Sequence, residues 1–244
     1  MTHRVVPLVA SSCYVWRIIL WGHSVQIRHV CFLSYKPWTR DGKCGFLTDS
    51  LILGHLAQKA TKFACVNQVN LASLRIRRAL VTDAAAICEM YNHEVQFETS
   101  TFDLVPRTLE TQEAWITARS GAFSAIVAVT PDDDVVGFGA LSEYRDRAAY
   151  STSVENSVYV KRNLGRRGIG RLILTTLLEQ AADSGFHVVM ARIEASGTAS
   201  RALHESCGFT LVGIEREIGR KFGKWLDVAL MQCVLHERSE LKTN

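Results

Sequence analysis

The chain of 244 residues lacks any apolar run near the roughly 18 residues a membrane-spanning helix needs. Its best candidate, around "CYVWRIILWG", is broken by Arg17 and His23. A spanning segment and a membrane partner are therefore not expected. The seven cysteines (Cys13, Cys31, Cys44, Cys65, Cys88, Cys207, Cys233) contain no C-x-x-C pair and no closely spaced even framework. A disulfide scaffold is excluded on that spacing, and the thiols read as reduced, in a cytoplasmic protein. His23, His29 and His55 with Cys31 or Cys44 lack a metal-ligand spacing, so no metal is expected. Acid is scarce at one end: residues 1–72 hold 8 Lys/Arg against 2 Asp/Glu, leaving 20 against 22 for the rest. The basic excess belongs to that first segment, and 48% hydrophobic content supplies ample core.

Residues 1–72 show no sustained period of 2 or 3.6, apart from one short amphipathic stretch, "DSLILGHLAQKATKFA". The segment reads as an N-terminal extension of uncertain order. It is either a poorly ordered natural extension or not a natural part of the protein, since no Met stands between Met1 and Met90. A targeting segment and a second domain rank below these, because a small-residue cleavage site and a proper apolar stretch are missing.

From Ser73 a register appears. "LRIRRA" alternates as a strand, and Thr82 or Asp83 caps a helix carrying Ala86, Ile87, Met90 and Tyr91. A second helix covers about Thr111 to Arg119. "SAIVAVT" and "VVGFGALSEY" form a hairpin across "PDDD". "SVENSVYV" is a strand, followed by a basic glycine loop and a helix with Leu172, Ile173, Leu174, Leu177, Leu178, Ala181 and Ala182, closed by Gly185. "HVVMARI" reads as a strand buried on both faces, then a helix from Thr198 to Cys207 stops at Gly208, and "TLVGIERE" and "WLDVALMQCVL" are the last strands. The order β-α-α-β-β-β-α-β-α-β-β fits an α/β (α+β) domain over residues 73–238, one mixed sheet flanked by helices.

In "GRRGIGR" a strand stops, Gly165, Gly168 and Gly170 let backbone N–H groups converge, and a helix starts, with Arg166, Arg167 and Arg171 nearby. Unpaired amides at a positive helix end suit an anion such as phosphate. A solvated arginine turn is the structural alternative. A Walker loop requires Lys then Ser or Thr after the glycine, where Arg171 and Leu172 stand. A dinucleotide fingerprint requires Gly or Ala at Ile173. Both fail.

"VENSVYV", "GRRGIGR", "SRALHESCGF" and "GRKFGKWLDVALMQ", in this order between about Leu74 and Leu235, resemble the GNAT superfamily of N-acetyltransferases. They look like its branch that acetylates phosphinothricin, methionine sulfoximine and methionine sulfone. The loop pattern Gln/Arg-x-x-Gly-x-Gly/Ala is met by Gly168-Ile169-Gly170, although Gly165 stands where Gln or Arg is usual, with the arginines displaced to Arg166 and Arg167. Gly197 stands where the branch usually has a cofactor-contacting Asn.

The resemblance implies acetyl-CoA as co-substrate, a small amino-acid-like acceptor and a homodimer. It places the pantetheine arm along Val158, Tyr159 and Val160, whose amides would also meet the oxyanion. The diphosphate falls to Arg166, Arg167, Gly168, Ile169, Gly170 and Arg171, with a further contact at Gly197. An α-ammonium must lose a proton before attacking a thioester, and Glu155 is the base the resemblance implies. Its carboxylate sits in an otherwise apolar strand, which favours use over the alternative of an exposed strand end. His204 would protonate the departing thiolate. Arg145, Asp146 and Arg147, on the loop ahead of that strand, would hold the acceptor carboxylate together with Glu155, Asn156 and Ser157. Phe222 and Trp225 either wall the pocket or pack, and Cys207 reads as core. The competing class is a nucleic-acid binder using Lys161, Arg162, Arg166, Arg167 and Arg171, which lacks a reader motif, so no nucleic-acid partner is expected.

Overall fold

The computed structural model describes residues 70–235. The amphipathic stretch "DSLILGHLAQKATKFA" and the expectations about the first segment fall outside the described residues, except at Asn70–Ala72. Seven strands form one sheet in the order β1-β2-β3-β4-β5-β7-β6. They are β1 (Arg75–Arg78), β2 (Ile126–Val129), β3 (Val135–Glu143), β4 (Ser153–Val160), β5 (Val188–Glu194), β6 (Thr210–Lys221) and β7 (Lys224–Val234). Among the described residues four α-helices accompany them: α1 (Ala84–Phe97), α2 (Leu109–Thr117), α3 (Ile169–Asp183) and α4 (Thr198–Glu205). This is the expected element order.

Every neighbouring pair of strands is antiparallel except β4 and β5. Alternation along the strands sorts side chains into two cores on opposite faces. Val154, Val189, Ala191, Met231 and Cys233 pack with Ile173, Leu174, Leu177 and Leu178 of α3. On the other face Val127, Val129, Phe138 and Ala140 meet Ile87, Met90, Tyr91 and Val95 of α1 and Ile116 of α2. α3 lies directly on β3: a Cβ at Gly139 would come within 2.7 Å of Ile173 and 2.9 Å of the Ser157 carbonyl oxygen. Only glycine admits that approach.

The helix ends refine the sequence reading. Asp83 precedes α1, but its carboxylate accepts from the Leu80 N–H at 2.8 Å and from Arg77 at 2.7 and 3.0 Å, rather than capping the helix. α2 begins two residues early, because Thr108 accepts from the Thr111 N–H at 3.1 Å. Gly185 (φ 80°) and Gly208 (φ 92°) stop the chain just beyond α3 and α4 through the left-handed region. β5 is not buried on both faces: Arg192 breaks its apolar run and is exposed. Among the described residues no helix is long and apolar enough to cross a membrane.

Candidate active site

β4 and β5 pair only through Ser153–Glu155 with Val188–Met190. Beyond that point β4 stays bonded to β3 as far as Val160, and β5 to β7 as far as Glu194. The two strands therefore part in a V whose edges carry main-chain donors and acceptors without a strand partner. Val158, Tyr159 and Val160 lie along one edge.

The V opens toward the glycine loop. The Lys161 N–H closes the β3–β4 ladder on the Val136 carbonyl at 3.0 Å, and buried Leu164 anchors a short turn. Arg166 (φ 60°) and Gly168 (φ 83°) then wind through the left-handed region. Gly168 caps α3 without a side-chain hydrogen bond, leaving the first-turn amides of a 15-residue helix for an outside acceptor. Leu71 rests on the same residue, within 2.9 Å of where a Gly168 Cβ would sit. Arg166 is exposed and Arg167 half-buried, whereas Arg171 donates to the Ser206 carbonyl at 2.9 Å. At Gly197 a Cβ would stand 2.9 Å from the Glu194 carbonyl oxygen, so a side chain there would require this turn to shift.

Side-chain alternation divides β4. Tyr159 packs in the α1 core, stacked on Phe138 with ring centroids 5.0 Å apart, so Glu155 and Ser157 share its face. Val154, Val158 and Val160 face α3, and Asn156 with them. Glu155 is half-buried, and its carboxylate makes no hydrogen bond or ion pair among the described residues. Burial pushes its pKa up, the Arg192 charge opposes this, and Glu215 adds to it. Arg192 and Glu215 are themselves paired at 3.0 Å beside it. A carboxylate at the apex of the V with an elevated pKa has the makings of a general base.

His204 lies elsewhere. It is 4% exposed, on the α4 side of the sheet, with Nδ1 2.8 Å from the Ser200 carbonyl and Nε2 3.1 Å from Asn156 Oδ1. Burial holds its pKa down. Both ring nitrogens thus have partners inside the fold. The Asn156 amide donates to the Met190 carbonyl at 2.9 Å inside the sheet.

Arg145, Asp146 and Arg147 are exposed on the loop before β4. The Arg145 guanidinium lies 5.1 Å from the Tyr144 ring and 5.8 Å from Tyr150. Phe222 and Trp225 stand exposed at the β6–β7 hairpin, and Cys207 is core as expected. Among the described residues no group of three His, Cys, Asp or Glu is placed to hold a metal.

Sequence reasoning missed the supports around this site. Glu94, 7% exposed, receives Arg162 at 2.8 and 2.6 Å and the Ser100 hydroxyl. Lys221, 3% exposed, donates to the Glu94 and Thr101 carbonyls at 3.1 and 2.7 Å. The available signal was a Glu in phase with Ile87, Met90 and Tyr91 on the apolar stripe of α1, and an Arg inside the apolar run of β5.

The acetyltransferase (GNAT) domain family matches residues 76–230. The L-amino acid N-acyltransferase MnaT of Escherichia coli K12 is 35% identical over 68% of this chain and 97% of its own length. The L-methionine sulfoximine/L-methionine sulfone acetyltransferase of Pseudomonas paraeruginosa is 35% identical over 67% of this chain and 95% of its own. The crystal structure of a GNAT superfamily phosphinothricin acetyltransferase from Sinorhizobium meliloti in complex with AcCoA superposes with a TM-score of 0.64. It is 30% identical and covers 67% of this chain and 89% of its own. With the parted strands, the glycine loop and the family match over the same residues, the chain belongs to the GNAT acetyltransferases.

Proposed function

We propose that the enzyme moves the acetyl group of acetyl-CoA to the α-amino group of a small amino acid or analogue, of the phosphinothricin and methionine sulfoximine or sulfone type. The observation that carries this reading is the coincidence of Glu155 with the apex of the strand opening. Named activities of the relatives support the substrate class.

Acetyl-CoA would lie in the V, its amides against the free edge of Val158–Val160 and its diphosphate on the Arg166–Gly170 loop. Glu155 takes a proton from the acceptor ammonium, and the freed amine attacks the thioester carbonyl. The tetrahedral oxyanion accepts a main-chain N–H of the Val158 stretch, the C–S bond breaks, the nitrogen gives up its second proton to water on the open side, and the thiolate takes a proton back from that water. Arg145 and Arg147 grip the acceptor carboxylate, with Asp146 and Ser157 as further polar contacts.

Nucleic-acid binding is the weaker reading, because Arg162 is spent on Glu94 and Arg171 on Ser206. A homodimer is part of the proposal. β6 is an edge strand exposing Leu211, Val212, Ile214 and Ile218, an apolar surface suited to a second copy. Light scattering of the eluting protein reads this directly.

The functional test mixes enzyme, acetyl-CoA and a panel of amines, and follows free thiol. Turnover with methionine sulfone or phosphinothricin is expected. Turnover only with peptide N-termini or aminoglycosides would move the acceptor elsewhere in the family, and silence across all amino acids would overturn the reading.

A further inference from the structure

We propose that Asn156 and His204 form a pin that ends the β4–β5 ladder and keeps the two strands apart beyond it. Glu155 and Met190 are the last paired residues of the two strands. The next residue on β4, Asn156, turns its side chain inward, and its Nδ2 donates to the Met190 carbonyl at 2.9 Å. A side-chain amide thus occupies an acceptor at the very place where main-chain pairing stops.

The other end of that amide is held as firmly. Asn156 Oδ1 lies 3.1 Å from His204 Nε2, the ring meets Phe209 edge-on with centroids 4.9 Å apart, and Nδ1 stands 2.8 Å from the Ser200 carbonyl. Asn156 and His204 are 6% and 4% exposed, so water offers neither a ready substitute. A buried polar group left without its partner is costly, which makes the pair a strong constraint on where β4 sits relative to α4 and β5.

The chemistry fixes the orientation. Met190 presents a carbonyl, which only accepts, so the Asn156 nitrogen faces it and the oxygen faces the ring. His204 Nε2 must then carry a proton. Burial lowers the pKa of the ring, so the neutral Nε2–H tautomer is the form that keeps the pin, at the expense of the Ser200 contact. Both residues act by position: Glu155, on the opposite face, does the proton transfer.

That the opening receives acetyl-CoA rests on the function proposed above, so the test has one arm that needs no ligand. In the free protein, nitrogen-detected spectra of the His204 ring at neutral pH should show Nε2 protonated, and Asn156→Ala should change that signal. Amide exchange at residues 156–160 and 188–194 should rise in the same variant. A ring protonated at Nδ1 alone, or exchange unaltered by Asn156→Ala, would overturn the pin whether or not acetyl-CoA binds.

In the kinetic arm, Asn156→Ala should raise the KM for acetyl-CoA about tenfold while kcat stays within about twofold, a tenfold change being 1.4 kcal/mol. Val127→Ala, a core truncation in β2, controls for lost stability and should leave that KM unchanged. Should Asn156→Ala fail to fold, His204→Gln and His204→Leu replace it. The Gln amide can still donate to Asn156 and should keep a near-normal KM, whereas Leu should not. Equal KM values for Gln and Leu, or a loss confined to kcat, count against the proposal. Wild-type protein that ignores acetyl-CoA would refute the function while leaving the spectroscopic arm to judge the pin.

Discussion

Arg162 grips Glu94 with two prongs, Nε to Oε1 at 2.8 Å and Nη2 to Oε2 at 2.6 Å, and reaches Glu98 at 3.3 Å. This ties the end of α1 to the residues that lead into the glycine loop. Removing the guanidinium strands a buried carboxylate, while the exposed half of the arginine limits the loss. Arg162→Ala should lower unfolding stability by about 1–2 kcal/mol in urea titration with an unchanged m-value. Arg162→Lys should recover less than half, because an ammonium cannot reproduce the two-pronged geometry.

Glu155 sets a pH signature. Its pKa is raised by burial, with Arg192 pulling it down and Glu215 pushing it up. In the proposed mechanism deprotonated Glu155 is the active form, so kcat/KM should rise with pH along a limb above the ordinary carboxylate value of about 4.3. Arg192→Ala should move that limb to higher pH and Glu215→Gln to lower pH. Shifts in the same direction would remove Glu155 as the titrating group.

The same shift bears on stability. A carboxylate whose folded pKa is raised stabilises the fold most below its unfolded value, and that contribution is lost as pH rises through the folded value. Glu155→Gln should therefore melt higher than wild type at pH 7 and equal to it near pH 3. Its kcat should fall by about 10²–10⁴-fold. Calorimetry at the two pH values, beside one rate measurement, checks both.

Gly219 on β6 admits the Phe102 ring: a Cβ there would collide with the ring edge. Gly219→Ala must expel Phe102 and disturb the 98–108 connection, which Lys221 and Thr101 tie to the same hairpin. We expect a higher acceptor KM and a lower melting point. Phe102→Ala in the same chain should restore part of each, with a coupling of about 1 kcal/mol or more in a double-mutant cycle.

Truncation separates the first segment from the loop it precedes. A protein beginning at Asn70 keeps Leu71 on Gly168 and should match the full chain in kcat. One beginning at Leu74 loses that contact. Its KM for acetyl-CoA should rise about threefold, less than 1 kcal/mol, with kcat unchanged. Loss of turnover in the protein beginning at Asn70 would give residues 1–69 a catalytic part.

The element order was legible because local signals agree with the final sheet. Alternation in "SVENSVYV" and glycines at the two helix ends point to the same boundaries that packing selects. Glu155 and the loop were legible as candidates embedded in that frame. What could not be read were partnerships across the fold. Asn156 looked like an acceptor contact and His204 like a proton donor, and only their meeting across 48 residues shows that they hold each other. Arg162 and Glu94, 68 residues apart, escaped for the same reason. One lies in a loop that reads as solvated, the other in a helix stripe that reads as core.

The single parallel contact in the sheet, three residue pairs between β4 and β5, makes this enzyme two antiparallel slabs joined along a short weld. A long, thin co-substrate laid into the gap would act as mortar between the slabs, adding to the weld and to the α3 core that bridges them in the empty form. Turnover and rigidity are then coupled, each departing product briefly returning the protein to its loosest state.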